Sequence, residues 1–263
     1  MSGTASAILT GWAIPMVSLP WDHSYVTSSC GLQWHCRGRV AGGIAIAMGQ
    51  GSSIIADCLS QINSHAGLRY WKDGVCHQMA NRMLYPAGQV TVAKCNGYGF
   101  SSFRYGHYGK GTWHQLATCY PPGTIHAGGI GTPSQQDDAM ANTNAYGRSD
   151  YLGQADQQRR LSELEQTILV TLGRPLDPET FTNLAAIQAQ LWREDNHLDW
   201  LLEHREIDED QYFHRMNAAA ATAMTLSRAV LGAEAFRAIF GELGEHPEQF
   251  IDRETLLASN GEG

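Results

Sequence analysis

The first 130 residues contain no glutamate and only three acids, Asp22, Asp57 and Asp73, against eight lysines and arginines. That stretch carries a net charge of +5, whereas the remaining 133 residues hold 23 acids and 10 bases and carry −13. So sharp an asymmetry argues for two units, a weakly basic one and an acidic one. No run of about 18 apolar residues occurs, so no membrane-spanning helix is expected. Residues 1–21 lack a basic segment ahead of their apolar residues, which Gly11, Trp12 and Pro15 interrupt. They do not read as a signal peptide, and a cytoplasmic location is the expectation. Lysine and arginine cluster nowhere beyond Arg37 and Arg39, a pattern too diffuse for a nucleic-acid surface. No CxxC pair occurs, and the chain is far longer than small disulfide scaffolds, so its six cysteines are expected to be reduced.

All six of those cysteines (Cys30, Cys36, Cys58, Cys76, Cys95, Cys119) and seven of the eleven histidines lie in the first 130 residues, where chemistry is to be sought. Residues 21–27 and 32–37 are rich in β-favouring and aromatic residues. They flank Ser28-Ser29-Cys30-Gly31, the composition of a tight turn, which together reads as a β-hairpin. Residues 42–51 read as a loop or a small-residue strand. Ser52 or Ser53 can then cap a helix running to about Ser64. A second helix is expected to start at about Cys76 and to stop before Pro86, followed by a strand over residues 89–94. The glycine and aromatic residues of 95–112 suit either strands flanking a loop or a flap over a site. Residues 121–153, rich in proline and glycine, read as the linker between a first domain, 1–130, and a helical domain, 154–263.

The second unit is helical in pattern: residues 154–172, a helix opened by Asp177-Pro178-Glu179 and reaching about Arg193, residues 197–203, 208–231 and 232–240. A stripe of Leu201, Leu202, Ile207, Tyr212, Phe213, Met216 and Met224 would knit an all-α bundle. Such a bundle could orient a peptide, form a homo-oligomer or bind a protein partner.

A catalytic cysteine must be a thiolate near neutral pH, and the usual devices are a helix N-terminus and a nearby imidazole. Cys76 has the first by position: Gly74 permits a sharp entry turn and the helix dipole places positive potential at its start. Cys58, inside a helix on its apolar face, reads as packing. A turn centred on Ser29 would set His23 directly opposite His35, so that one imidazole orients the other toward Cys76. His77 would point about 100° away along the helix and reads as supporting or surface. His107 and His114 compete with His23 for the role of base. The plainer readings are a small buried thiol opening a helix and a pair of cross-strand histidines in ordinary hydrogen bonds. Zinc is a further alternative, since Cys30, His35, Cys36, Cys76, His77 and Cys95 are suitable ligands. None of their spacings matches a ribbon, knuckle or finger, and no metal or cofactor is expected. A non-catalytic protein-interaction module is the remaining class.

Asp22-His23-Ser24-Tyr25-Val26, with a second polar residue twelve positions after the histidine, resembles the His…His element of NlpC/P60-type papain-like cysteine peptidases. In the ordinary order of that family the cysteine comes first. Here it follows, the order of the circularly permuted branch that includes lecithin:retinol acyltransferase-like and YiiX-like proteins. The resemblance spans residues 21–85. It implies an α+β papain-like domain with Cys76 as nucleophile, His23 as base and His35 as the orienting residue. The activity implied is hydrolysis or acyl transfer at peptide or other amide bonds.

Overall fold

Small side chains at alternate positions make Ser6–Pro15 a strand (β1) that buries Ala7, Leu9, Gly11 and Ala13 on one face. Three further strands join it: β2 (Asp22–Ser28), β3 (Gln33–Trp34) and β4 (Ile44–Ser52). The sheet is antiparallel with order β3-β2-β1-β4. The structure is a computed structural model that describes residues 6–16, 20–36, 41–61, 66–88, 90–110 and 154–247. The chain divides into two compact units, residues 1–144 and 145–263, and the first is of mixed α+β type.

Strand β1, at the centre of this sheet, was not among the elements expected. Its alternation is carried by alanine and glycine, whose weak hydrophobicity hides a period of two. The small residues let a helix come close. A Cβ on Gly11 would meet Leu84 Cδ1 and Val92 Cγ1 at 3.0 Å each, so the end of the second helix and the segment after it lie directly on the sheet.

Helix α1 (Ser53–Ser60) starts where the capping residues indicated: Ser52 Oγ accepts from the Ile55 N–H at 3.3 Å. Trp34 Nε1 donates to Asp57 Oδ1 at 3.1 Å and so ties β3 to this helix. Helix α2 (Cys76–Leu84) also begins at the expected residue and passes into a 3-10 turn, Tyr85–Ala87, at Pro86. Two expectations fail beyond it. Residues 90–97 form turns and extended chain rather than a strand, and Tyr98–Tyr105 form a helix (α3) where strands or a flap were considered.

One cause underlies both corrections. Every residue of α2 is buried, and its polar side chains bind the chain that wraps it. Asn81 Oδ1 accepts from the Val92 N–H at 2.8 Å, while its Nδ2 donates to the His107 carbonyl at 2.7 Å. Gln78 Nε2 donates to the Gly106 carbonyl at 3.1 Å, and Arg82 Nε to the Tyr108 carbonyl at 2.6 Å. Backbone groups that a strand would give to a ladder are thus satisfied by side chains of α2.

The second unit holds helices α4 (Gln154–Leu172), α5 (Pro178–Glu203) and α6 (Glu209–Glu245). Asp177 caps α5 through the Thr180 N–H at 3.0 Å, with Pro178 in the first turn. The break expected near residues 194–196 is absent and α5 runs through it. The break at Gly232 is present, with φ +75°, and a second follows at Gly241. Of the expected stripe, Leu201, Tyr212, Met216 and Met224 are buried, while Leu202, Ile207 and Phe213 are partly so. Tyr212 carries a polar duty as well, because its hydroxyl lies 2.9 Å from Asp199 Oδ1 and 3.2 Å from Asp195 Oδ1, both buried. Replacing Tyr212 by Phe removes the donor that two buried carboxyls share, and should cost about 1–3 kcal/mol in urea unfolding followed by circular dichroism. Among the described residues no helix is long and apolar enough to cross a membrane.

Candidate active site

Cys76 occupies the first turn of α2, where backbone N–H groups have no intrahelical partner and the dipole is positive. The entry is closed on one side by Gln78, whose Oε1 accepts from the Val75 N–H at 3.1 Å. Gly74 makes that closure possible, since a Cβ there would meet Gln78 Cβ at 2.8 Å. A Gly74→Ala chain should therefore shift the start of α2. The measurable consequence is slower alkylation of Cys76 with the far-ultraviolet circular dichroism largely kept.

A ring nitrogen of His23, from β2, the Cys36 sulfur, two residues beyond β3, and the Cys76 sulfur all lie within 4.8 Å of one another. All three residues are buried. His23 Nε2 has no hydrogen-bond partner among the described residues. Cys36 beside Cys76 holds the Cys76 thiol well below its ordinary pKa, helped by the charges of His77 and His23 and opposed by burial. Cys95 moves the other way. Burial, the Cys76 charge and the Asp22 charge push its thiol well above the ordinary range. Both sulfurs approach the Asp22 carbonyl oxygen, Cys76 at 4.0 Å and Cys95 at 3.9 Å.

The hairpin is real, but its register differs from the one expected. The turn centres on Cys30, with the Ser28 N–H donating to the Leu32 carbonyl at 2.9 Å and Leu32 N–H to Ser28 Oγ at 3.0 Å. Val26 then pairs with Trp34 and Thr27 with Gln33, a two-residue displacement from the predicted alignment. The direct pairing of His23 with His35 is not formed. His35 is exposed, close enough to His23 for its charge, together with partial burial, to hold the His35 imidazole below the usual range. Because a displacement of two preserves the alternation of faces, it is Cys36 that is buried at the cluster.

His77 is fully buried rather than at the surface. Its Nε2 donates to the Asp22 carbonyl at 3.1 Å and its Nδ1 lies 2.8 Å from Ser101 Oγ, so β2, α2 and α3 meet on one ring. Asp22 does more than a neighbour of the base was expected to do: its carboxylate accepts from the Asn96 N–H at 3.0 Å and its carbonyl orients His77. His107 packs beside Tyr98, with ring centroids 5.8 Å apart, and its carbonyl is held by Asn81. His114 and Cys119 lie outside the described residues. Of the residues the sequence singled out, the structure brings together Cys76 and His23. The ones it adds are Cys36, His77 and the Asp22 carbonyl. Adjacency in sequence to Cys76 and His23 was a signal for His77 and Asp22, whereas Cys36 needed the turn centre to be known.

No family model matches the chain, and neither a curated protein nor a solved structure does.

Proposed function

We propose that this protein is a cysteine-dependent hydrolase or acyl transferase acting on peptide or other amide bonds, with a papain-like, circularly permuted first unit. The observation that supports the reading is the placement of Cys76 at the start of a buried helix with the His23 imidazole within 4.8 Å of its sulfur. His23 takes the thiol proton, and the Cys76 sulfur attacks the carbonyl carbon. The negative oxygen so formed is stabilised by the Cys76 N–H at the helix start and one further donor. Collapse breaks the carbon–nitrogen bond as the His23 imidazolium gives its proton to the leaving amine. Water or a second amine then releases the acyl group and restores the thiol. Cys36 or His35 would steady the His23 ring, the first from within the cluster and the second from the exposed side.

A short activated acyl ester tests this directly. The expected result is an acyl adduct on the peptide that contains Cys76, seen by mass spectrometry after acid quench, and absent in Cys76→Ala. His23→Ala should slow its formation by about 10²–10⁴-fold, the range of a lost general base. An adduct that forms equally in Cys76→Ala would remove the proposal.

A further inference from the structure

We infer that His23, Cys36 and Cys76 form a binding site for one soft divalent cation, of which Zn²⁺ is the natural occupant, with a fourth coordination position open. The three donor atoms are already mutually within 4.8 Å, and they come from three separate places in the chain: β2, the end of the hairpin and the start of α2. Convergence of this kind does not depend on the ribbon or finger spacings that the sequence lacks. One imidazole and two sulfurs are a recurrent zinc donor set, and three protein ligands plus one open position is the arrangement of reactive rather than closed structural sites. Charge favours it too. Two thiolates and a neutral imidazole around a dication sum to zero, so a buried site gains no net charge when filled, and the thiol protons still bound pass to solvent.

The second observation is the histidine. His23 is 92% buried by its 8% relative exposure, and its Nε2 has no hydrogen-bond partner among the described residues. A buried imidazole nitrogen without a partner is costly unless something completes it. Metal coordination does. Cys95 stands apart from the triad, being outside the set of atoms that are mutually close, and is not a ligand. The inference is independent of catalysis. If Cys76 is also the nucleophile, the cation occupies its sulfur and silences it reversibly.

The experiment uses the full chain, reduced, stripped with a chelator and titrated with Zn²⁺ against a chromophoric chelator. One equivalent should bind to the wild-type chain. Cys36→Ser should weaken binding by at least about 100-fold, since even partners beyond the direct ligands are worth about 10–100-fold. Cys95→Ser should leave it unchanged. Co²⁺ in place of Zn²⁺ should give tetrahedral ligand-field bands and a sulfur-to-metal charge-transfer band. In the wild-type chain, bound Zn²⁺ should also protect Cys36 and Cys76 together from alkylation while Cys58 reacts as before, a readout that requires no variant to fold. Absence of a stoichiometric site, an unweakened Cys36→Ser chain, a lost site in Cys95→Ser, or zinc that leaves Cys36 and Cys76 unprotected would each overturn the inference. Those failures leave the acyl adduct on Cys76 untouched, and loss of the adduct leaves zinc binding untouched.

Discussion

In metal-free protein, Cys76 should be alkylated by iodoacetamide with a pH midpoint below that of an ordinary thiol, about 8.5, and Cys36→Ala should move that midpoint upward. The sign follows from the groups around the sulfur. Cys36, the charges of His77 and His23 and the start of α2 all favour the thiolate, and burial alone opposes them. As pH falls through the lowered pKa the thiolate is protonated and reactivity declines. At any pH between that value and the ordinary one, Cys76 is ionised while an unperturbed thiol is not. Cys95, pushed up by burial and by the Cys76 charge, should stay unreactive over the same range. Removing Cys36 takes away the largest favourable contribution while His77 and His23 remain, so the midpoint rises without the site being lost.

Cys30 complicates the measurement in an informative way. It is exposed, and hydrogen bonding from Ser28 and Ser53 lowers its thiol pKa too. The Ser28 oxygen is 3.0 Å from its sulfur. Labelling should therefore be followed peptide by peptide, or in a chain with Cys30, Cys58 and Cys119 replaced by serine. A Cys76 midpoint at or above the ordinary value in that chain would contradict the assignment of Cys76 as a thiolate. A midpoint unmoved by Cys36→Ala would leave the thiolate and discard Cys36 as its support.

The helix that carries Cys76 was legible because its two ends are written in local chemistry: Gly74 for the turn into it and Pro86 for its close. The capping serine of α1 was legible for the same reason. The hairpin was half legible. Composition identifies two β-rich runs and a turn, but Ser28-Ser29-Cys30-Gly31 does not say which residue lies at the centre. A two-residue shift keeps every side chain on its face while changing each partner. That is why a histidine was expected where a cysteine lies. Strand β1 and helix α3 were illegible for a different reason. Alanine and glycine mask the alternation of β1, and the glycine-aromatic composition of α3 has low helical propensity, so its conformation is decided by what it packs against. The polar side chains of α2 are the agents of that decision, and no period in the sequence announces them.

Asn81 makes this dependence measurable. Its amide is buried and meets three partners at once: Nδ2 donates to the Tyr98 hydroxyl at 3.1 Å and to the His107 carbonyl at 2.7 Å, while Oδ1 accepts from the Val92 N–H at 2.8 Å. Asn81→Ala leaves the Val92 N–H and the His107 carbonyl to lose their side-chain partner in an interior that water does not reach. Each such group costs about 1–3 kcal/mol, and a small cavity adds to the total. A loss of about 4 kcal/mol is a large share of the stability of a domain this size. Asn81→Asp is the sharper variant. It keeps the acceptor for Val92 and the volume, but sets a carboxylate oxygen against the His107 carbonyl, so it should be as damaging as alanine at neutral pH and partly recover as the carboxyl is protonated. Urea unfolding of the two variants, followed by tyrosine and tryptophan fluorescence across pH 4–8, separates these outcomes. A stable Asn81→Ala chain would mean that residues 90–110 hold their wrap around α2 without it. In that case the burial of Tyr98, Phe100 and Phe103 would be the cause of the fold there and the amide only its consequence.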